Sequence, residues 1–139
     1  MGGVNVLFVA GFGPISSDVD VSRRLYEQAL GIHFQVEEGD YLHTEGIDGA
    51  KTFAIWPLSQ AAESCFGSSA WPPDMVTPQA WLEFDVDDIE SAGRELEERG
   101  YRLLVRARTE PWGQVVSRLI SPEGLLVGLT VTPALREKE

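Results

Sequence analysis

Glu83 is the acidic residue whose sequence neighbours best suit a chemical role. Residues 81–86 alternate strictly, which predicts a half-buried strand with Trp81 and Glu83 on one face. A partly buried carboxylate there would have a raised pKa and could act as a general base. It could instead neutralise a cationic ligand. A rim carboxylate in water is the structural alternative.

The two histidines, His33 and His43, are the next candidates. His33 lies on the polar side of a predicted strand, so it faces either a ligand cleft or plain solvent. His43 lies near a predicted turn, where we expect it to be solvated. A metal site of His43, Glu45 and Glu83 stays open as an alternative, although no spacing argues for it.

The chain has four tryptophans, a high number for 139 residues. Trp81 shares a face with Glu83, Trp71 precedes two prolines, and Trp56 lies late in a predicted strand. Such indole rings can stack on flat or conjugated ligands. Ordinary core packing is the alternative, and it fits Trp81 least well.

Other charged residues have simpler explanations. Helix capping accounts for Asp18 and for Asp87 or Asp88 better than a metal cluster does. An anion clamp could be built from three arginines, although exposed strand arginines are commoner: Arg106, Arg108 and Arg118. No P-loop, Cys-x-x-Cys or His-Glu-x-x-His motif is present.

Bulk properties exclude several classes of protein. The net charge of −11 repels phosphate backbones and anionic membranes, so we expect no nucleic-acid or membrane partner. No apolar run approaches the roughly 20 residues that a membrane helix needs. Cys65 is the only cysteine, so no internal disulfide can form, and a reducing, cytoplasmic location is expected.

Two predicted helices match each other in the two halves of the chain. Asp18 begins the first and Gly31 ends it, whereas Asp88 begins the second and Gly100 ends it. Each has an apolar stripe at helical spacing. The stripes are Val21, Leu25, Ala29 and Leu30 in the first helix, and Ile89, Ala92 and Leu96 in the second.

One predicted strand precedes each helix and three follow it. The predicted strands are 5–15, 32–37, 41–44 and 52–57, then 81–86, 101–105, 114–120 and 125–131. Residues 58–77 have no clean period and are predicted to be a connecting loop.

This repeat predicts an α+β fold of two β-α-β-β-β units in one domain over residues 1–139. We expect a curved mixed sheet around a cleft, with the helices outside. Trp81 and Glu83 would face the cleft, and Leu82, Phe84 and Val86 would face a helix. The divisions are repeat one at about 4–57, the loop at about 58–77, repeat two at about 78–132, and a charged tail at 133–139.

The order and spacing of these pieces resembles the vicinal oxygen chelate superfamily, which includes glyoxalase I, extradiol dioxygenases and bleomycin-resistance proteins. In character the chain is most similar to metal-free members of the bleomycin-resistance type. The resemblance covers nearly the whole chain and is specific for the fold, not the activity. It rests on Asp18, Ser22, Leu25-Tyr26, Leu30-Gly31, Phe84-Asp85-Val86-Asp87-Asp88, Glu98-Arg99-Gly100, Glu110-Pro111-Trp112-Gly113-Gln114 and Ser121-Pro122-Glu123-Gly124.

Enzymes of this superfamily hold a divalent metal with His and Glu side chains that face the cleft. The resemblance places those positions at Gly11, Trp81 and Gly128, with a fourth near Ile55 or Trp56. None can ligate a metal ion, which needs three or four converging N, O or S ligands. We therefore expect no metal and no cofactor. The superfamily's Pro-Trp-Gly turn borders its ligand cavity, which adds Trp112 to the candidates.

The first hypothesis is a metal-free protein that binds a hydrophobic, aromatic or cationic small molecule, as in antibiotic sequestration. Its predicted ligand-binding residues are Trp81, Glu83, Trp112, Trp56, Trp71 and His33. The second is a glyoxalase- or dioxygenase-like lyase or oxidoreductase, with an unrecognised metal site or Glu83 as general base. The third is a structural or regulatory dimer without a ligand, which a cleft filled by its own side chains would favour. The resemblance also implies a homodimer.

Overall fold

The structure, a computed structural model, describes residues 4–37, 39–111 and 113–132. Trp112 and the predicted tail at 133–139 lie outside the described residues. The strands are β1 Val6–Ser16, β2 Gln35–Glu37, β3 Tyr41–Thr44, β4 Phe53–Pro57, β5 Ala80–Val86, β6 Val105–Thr109, β7 Val115–Ile120 and β8 Leu126–Val131. The helices are α1 Val19–Arg23, which continues as a π-helical turn over Arg24–Ala29, α2 Leu58–Phe66 and α3 Ile89–Glu98.

The eight strands form one mixed sheet in the order β2-β3-β4-β1-β5-β8-β7-β6. The central strands β1 and β5 are antiparallel, and each has a parallel neighbour, β4 or β8, from its own half of the chain. From either edge to the centre, the second, third, fourth and first strands of one half follow in that order. Two equivalent units would give this arrangement. The predicted α+β fold of two β-α-β-β-β units in a curved mixed sheet is confirmed.

The predicted helix starts and ends are also confirmed by their local geometry. The Asp18 carboxylate accepts a hydrogen bond from the backbone N–H of Val21, and Asp88 accepts one from Ser91. Gly31 and Gly100 follow the two helices with φ of 77° and 93°, a conformation that glycine adopts without steric cost.

The sheet has an outer face under α1 and α3 and an opposite, inner face. On the outer face Val86 and Phe84 pack against Ala92 of α3. On the inner face Trp81 lies in a buried cluster with Ala54 and Ala61. The strict alternation of β5 therefore separates its helix-facing and inward-facing residues as the sequence predicts.

The apolar stripe of the first helix does not pack as the sequence predicts. Val21, Leu25 and Leu30 are each at least half exposed. The amide of Leu30 bonds to the carbonyl of Leu25, five residues back, which is the hydrogen bond of a π-helical turn. This widened turn rotates the later residues around the helix axis, and Tyr26 packs on Phe53 instead, with ring centroids 5.9 Å apart.

The predicted loop at 58–77 is wrong over its first nine residues, which form α2. Its buried side chains are the small ones of Ala61, Ala62 and Cys65. With Leu58 and Phe66 they recur at the spacing of an amphipathic helix, so the prediction of no clean period was wrong here. Pro57 occupies the N-cap position, and Gly67 ends the helix with φ of 74°.

Two strands start later than the sequence predicts, because the first backbone amides of each predicted strand hydrogen-bond to the end of the preceding helix. The Tyr101 amide bonds back to Leu96, so β6 runs over Val105–Thr109 and the prediction of 101–105 was wrong. In the same way the Ile32 amide bonds to Tyr26, and β2 begins only at Gln35. No helix of the described residues is long and apolar enough to cross a membrane.

Candidate functional site on the inner face

A row of four paired residues crosses the centre of the inner face. Gly11 on β1 pairs with Glu83 on β5, Glu83 pairs with Gly128 on β8, and Gly128 pairs with Arg118 on β7. Paired residues point to the same side of a sheet. The two glycines therefore leave open space on either side of Glu83.

Neighbouring side chains fill the space at both glycines. A Cβ atom on Gly11 would lie 2.8 Å from Cη2 of Trp81, and one on Gly128 would lie 2.8 Å from Cγ of Glu83. The Trp81 ring is fixed by its Nε1, which donates to the Ala54 carbonyl over 3.0 Å. Larger side chains at positions 11 and 128 would not fit this arrangement.

Glu83 and Arg118 form an ion pair across the gap above Gly128. Nη1 of Arg118 lies 2.9 Å from Oε2 of Glu83, and the two side chains are 6% and 13% exposed. Nε2 of Gln114 donates to the other Glu83 oxygen over 3.2 Å. Arg118 therefore already neutralises the Glu83 carboxylate. The structure does not support the predicted roles of Glu83 as a free general base or as the partner of a cationic ligand.

Aromatic residues surround this ion pair. The Arg118 guanidinium lies 4.8 Å from the Trp56 ring centroid, and Trp56 meets Trp81 edge to face at 6.4 Å. Burial, and then the nearby Glu83 and Glu45 carboxylates, raise the pKa of Tyr41, against a smaller lowering by Arg118. The Tyr41 hydroxyl thus stays protonated and can donate a hydrogen bond.

Helix α2 covers the inner face. Ala61 and Cys65 belong to the same buried cluster as Trp81, and Ser64 accepts a hydrogen bond from Nη2 of Arg108 on β6 over 2.9 Å. Burial raises the pKa of the Cys65 thiol, with Arg118 and Arg108 acting in the opposite direction. Cys65 is therefore a buried, largely protonated thiol.

The inner face does not suit the divalent metal that the fold family implies. Gly11 and Gly128 have no donor atoms, Trp81 uses its indole N–H as a donor, and the Glu83 carboxylate is bound to Arg118. Among the described residues, no three His, Cys, Asp or Glu side chains lie together so as to hold a metal ion. Of the two residues expected near a fourth position, Trp56 packs against the inner-face cluster, and its indole is not a metal ligand either.

The two histidines differ in exposure and in surroundings. His33 is exposed. His43, predicted to be solvated, has a side chain only 14% exposed, because it stacks on Tyr41 at 5.5 Å. Its Nδ1 lies 2.9 Å from Oε2 of Glu45, and its Nε2 lies 3.3 Å from Glu37 without forming a hydrogen bond.

The remaining candidates divide between the inner face and the surface. Trp71 packs edge to face on Phe66 at 5.0 Å, beside the inner-face cluster. Arg106 pairs with Glu97 on α3, and Arg108 pairs with Glu110. Arg118 is buried, whereas Arg106 and Arg108 lie nearer the surface in separate ion pairs. The three arginines therefore do not form an anion clamp, and only two of them are the exposed strand arginines of the alternative. Trp112 lies outside the described residues.

Sequence reasoning considered Arg118 only for an anion clamp, and it missed Gln114 and Tyr41 as members of this site. Arg118 and Gln114 share the parity of their strand, so both point inward, but their partner Glu83 is more than 30 residues away in the chain. Only the pairing of β5, β8 and β7 brings them together. The sequence signal that could have found Arg118 is its position two residues after the apolar Val116, which places both side chains on the same face of β7.

Two open grooves lie outside the ion pair itself. The apolar one, of about 430 Å³, is lined by the outer-face residues Phe12, Tyr26, Phe53, Leu82 and Leu125, and at one side by Trp81. A polar groove of about 440 Å³ lies between the starts of α1 and α2 and includes Asp18, Asp20 and Asp40.

Solved structures with the same fold include several enzymes. Methylmalonyl-CoA epimerase from Mycobacterium tuberculosis is 20% identical, with a TM-score of 0.57, over 95% of this chain and 93% of that chain. A glyoxalase/bleomycin resistance protein/dioxygenase superfamily member from Vibrio splendidus 12B01 is 16% identical, with a TM-score of 0.56, over 93% and 99%. Homoprotocatechuate 2,3-dioxygenase from Brevibacterium fuscum, solved with 3,4-dihydroxyphenylacetate, is 17% identical, with a TM-score of 0.60, over 94% of this chain but 38% of that chain. At these identities the likeness shows the fold alone.

Sequence comparison gives the family. A search of curated proteins found no significant match. The family described as Glyoxalase/Bleomycin resistance protein/Dioxygenase superfamily matches residues 13–129. The chain therefore belongs to the glyoxalase/bleomycin resistance protein/dioxygenase superfamily.

Proposed function

We propose that this protein binds a small aromatic or hydrophobic molecule, without a metal, on the inner face beneath α2. The observation that supports this most directly is the buried Glu83–Arg118 ion pair, which lies beside Gly11, Trp81 and Gly128, the residues that the resemblance assigns to metal-ligand positions. Trp56 and Trp81 add flat apolar surfaces beside the pair. In the cytoplasm such binding would sequester a toxic compound, as bleomycin-resistance proteins do.

The neutralised carboxylate favours some ligands over others. Glu83 already has a cationic partner, so a cationic ligand would gain little from it and would be repelled by Arg118. The indoles offer stacking and apolar contact. The proposal is therefore narrower than the sequence hypothesis: aromatic or hydrophobic ligands are favoured over cationic ones.

Tryptophan fluorescence and thermal shift of untagged protein test this function. The probes are bleomycin and a set of flat aromatic compounds that includes the cation ethidium. We expect saturable quenching by uncharged aromatics, lost in Trp56→Leu and retained in the matched control His33→Ala, since His33 is exposed. No quenching by any probe, or stoichiometric zinc, nickel or iron in the purified protein, would contradict the proposal.

A second candidate function, a structural or regulatory homodimer, is favoured by an exposed seam on the outer face. The seam consists of Val6, Val9 and Phe12 on central strand β1, each more than 40% exposed. Large apolar side chains on the middle of a sheet usually have a cover. The side chains of α2 also fill part of the inner face, as expected for a protein that binds no ligand there.

Light scattering separates this candidate from the first. If the seam joins two copies, Phe12→Glu makes the protein monomeric, whereas the control Val36→Glu, on the exposed edge strand β2, leaves a dimer. A monomeric wild-type protein excludes the homodimer and leaves the ligand-binding proposal intact.

A further inference from the structure

The buried Arg118 side chain has one donor that no protein group uses. Its Nη1 donates to Glu83, but its Nε has no hydrogen-bond partner among the described residues and no contact with solvent. An unsatisfied buried N–H costs free energy comparable to a lost hydrogen bond. In a native protein such a group calls for an acceptor from outside the chain.

The charges around Nε limit what that acceptor can be. The Arg118 charge is already balanced by Glu83, and the Glu45 and Glu37 carboxylates lie close enough to act on Tyr41 nearby. An anionic ligand would meet this surplus of negative charge. A neutral oxygen acceptor satisfies the N–H without adding a charge to a buried site.

Access to Nε requires α2 to move, and the fully buried residues of α2 are the small Ala61, Ala62 and Cys65. Its large residues Leu58 and Phe66 are only partly buried, and Ser64 is hydrogen-bonded to the partly exposed Arg108. Its N-cap makes no side-chain hydrogen bond, and it ends at the left-handed Gly67. The helix can therefore open locally while the sheet stays folded.

From these observations we infer that the ligand is a neutral, flat, apolar molecule whose carbonyl oxygen accepts a hydrogen bond from Nε of Arg118. This inference rests on the proposed function, because it names the ligand class for the same site. The ring system lies against Trp56 or Trp81, and the carbonyl points toward β7. A protonated Tyr41 stands beside the pair and keeps the site free of further charge.

Three matched probes test the inference: 2-acetylnaphthalene, 2-ethylnaphthalene and 2-naphthoate. A hydrogen bond from a charged donor discriminates by about tenfold to a hundredfold. We expect the ketone to bind wild-type protein that much more tightly than the hydrocarbon, and the carboxylate to bind weakest. Arg118→Lys keeps the charge but lacks Nε, and we expect it to bind ketone and hydrocarbon within about threefold of each other.

Nuclear magnetic resonance gives a readout that does not depend on a variant folding. The Nε–Hε resonance of Arg118 in wild-type protein should shift on titration with the ketone and stay unchanged with the hydrocarbon. Equal affinity for ketone and hydrocarbon, with no shift of this resonance, would mean that a buried water satisfies Nε and would overturn the inference. If none of the three probes binds but a compound of the aromatic panel quenches, only the inference fails, whereas no binding by either set of probes contradicts the proposed function itself.

Discussion

Arg118 and Glu83 meet above Gly128, with Nη1 and Oε2 2.9 Å apart and α2 over the inner face. The contact is possible because Gly128, which pairs with both residues across the sheet, has no side chain. A side chain at position 128 would occupy the space that the pair needs.

The first prediction concerns the coupling within this pair. Glu83→Gln leaves the Arg118 charge buried without its counter-charge, and Arg118→Met does the reverse. Each should lower the free energy of unfolding by about 3 kcal/mol, because an uncompensated buried charge is costly. The double variant should lose far less than the sum of the two, since no charge is left unpaired.

Urea unfolding of the four proteins measures this coupling. Arg99→Met with Glu95→Gln is a matched surface control, because these two side chains also form an ion pair but Arg99 is well exposed. That pair should change stability by less than about 1 kcal/mol. Additive losses at positions 83 and 118 would show that the ion pair does not hold the site together.

The second prediction concerns the space above Gly128. Gly128→Ala places a Cβ 2.8 Å from Cγ of Glu83, whose carboxylate is held by Arg118 and Gln114. Overpacking of this kind costs about 1–3 kcal/mol of unfolding free energy. Gly46→Ala is the matched control, since its Cβ would make only an ordinary contact of 3.5 Å with Thr44.

Thermal unfolding measures whether Gly128→Ala is less stable than wild type and than the control Gly46→Ala. Gly46→Ala should match wild type or be slightly more stable, because alanine reduces the conformational freedom of the unfolded chain. If Gly128→Ala is as stable as Gly46→Ala, the inner face has more free space than the structure shows.

Local patterns in the sequence were enough to predict the two matched helices, the facing of β5 and the repeat of two units. Asp18 and Asp88 cap their helices through side-chain oxygens, and such capping chemistry depends on residues within one turn. The alternation of β5 likewise sorted Trp81 and Glu83 from their helix-facing neighbours. The matching order of the two halves then predicted two equivalent units.

The parts that the sequence did not predict depend on distant partners or on short local patterns. Arg118 became a site residue through Glu83, which reaches it only when three strands pair. The apolar residues of α2 do recur at helical spacing, but three of the five are the small Ala61, Ala62 and Cys65, and this short stripe was overlooked. The π-helical turn over Arg24–Ala29 changes which face its later residues present, and no local residue type marks such a turn.

The third prediction concerns the movement of α2. The helix has nine residues and a small buried surface, so its amides should exchange with solvent by local opening. Hydrogen exchange should be at least tenfold faster for α2 than for the central strands β1 and β5. Gly67→Ala, which puts a Cβ on a residue with φ of 74°, should speed exchange in α2 further and leave the sheet unchanged.

Mass spectrometry of peptides covering 58–66 and 80–86 provides this comparison. Gly46→Ala again serves as a control that should change neither peptide. Equal protection of α2 and β5 would show that the helix opens only when the whole protein unfolds, and ligand entry beneath α2 would then be excluded.

The fourth prediction follows from the buried thiol of Cys65. Burial raises its pKa in the folded protein above the unfolded value of about 8.5, so the folded state holds its proton to higher pH. Below that unfolded value the thiol is protonated in both states. As the pH rises above about 8.5, the unfolded chain loses its proton first and is stabilised, so the free energy of unfolding falls.

Urea unfolding at pH 7 and pH 9.5 tests the sign of this effect in wild-type protein and Cys65→Ala. The alanine variant loses some packing at both pH values, but the decrease between them should be smaller than in wild type. Tyr41→Phe is the matched control, because the tyrosine, whose pKa is also raised, ionises in the unfolded chain only near pH 10 and should contribute less over this interval. An equal decrease in wild type and Cys65→Ala would show that the buried side of α2 does not hold the thiol protonated, and that α2 does not shield the inner face from solvent.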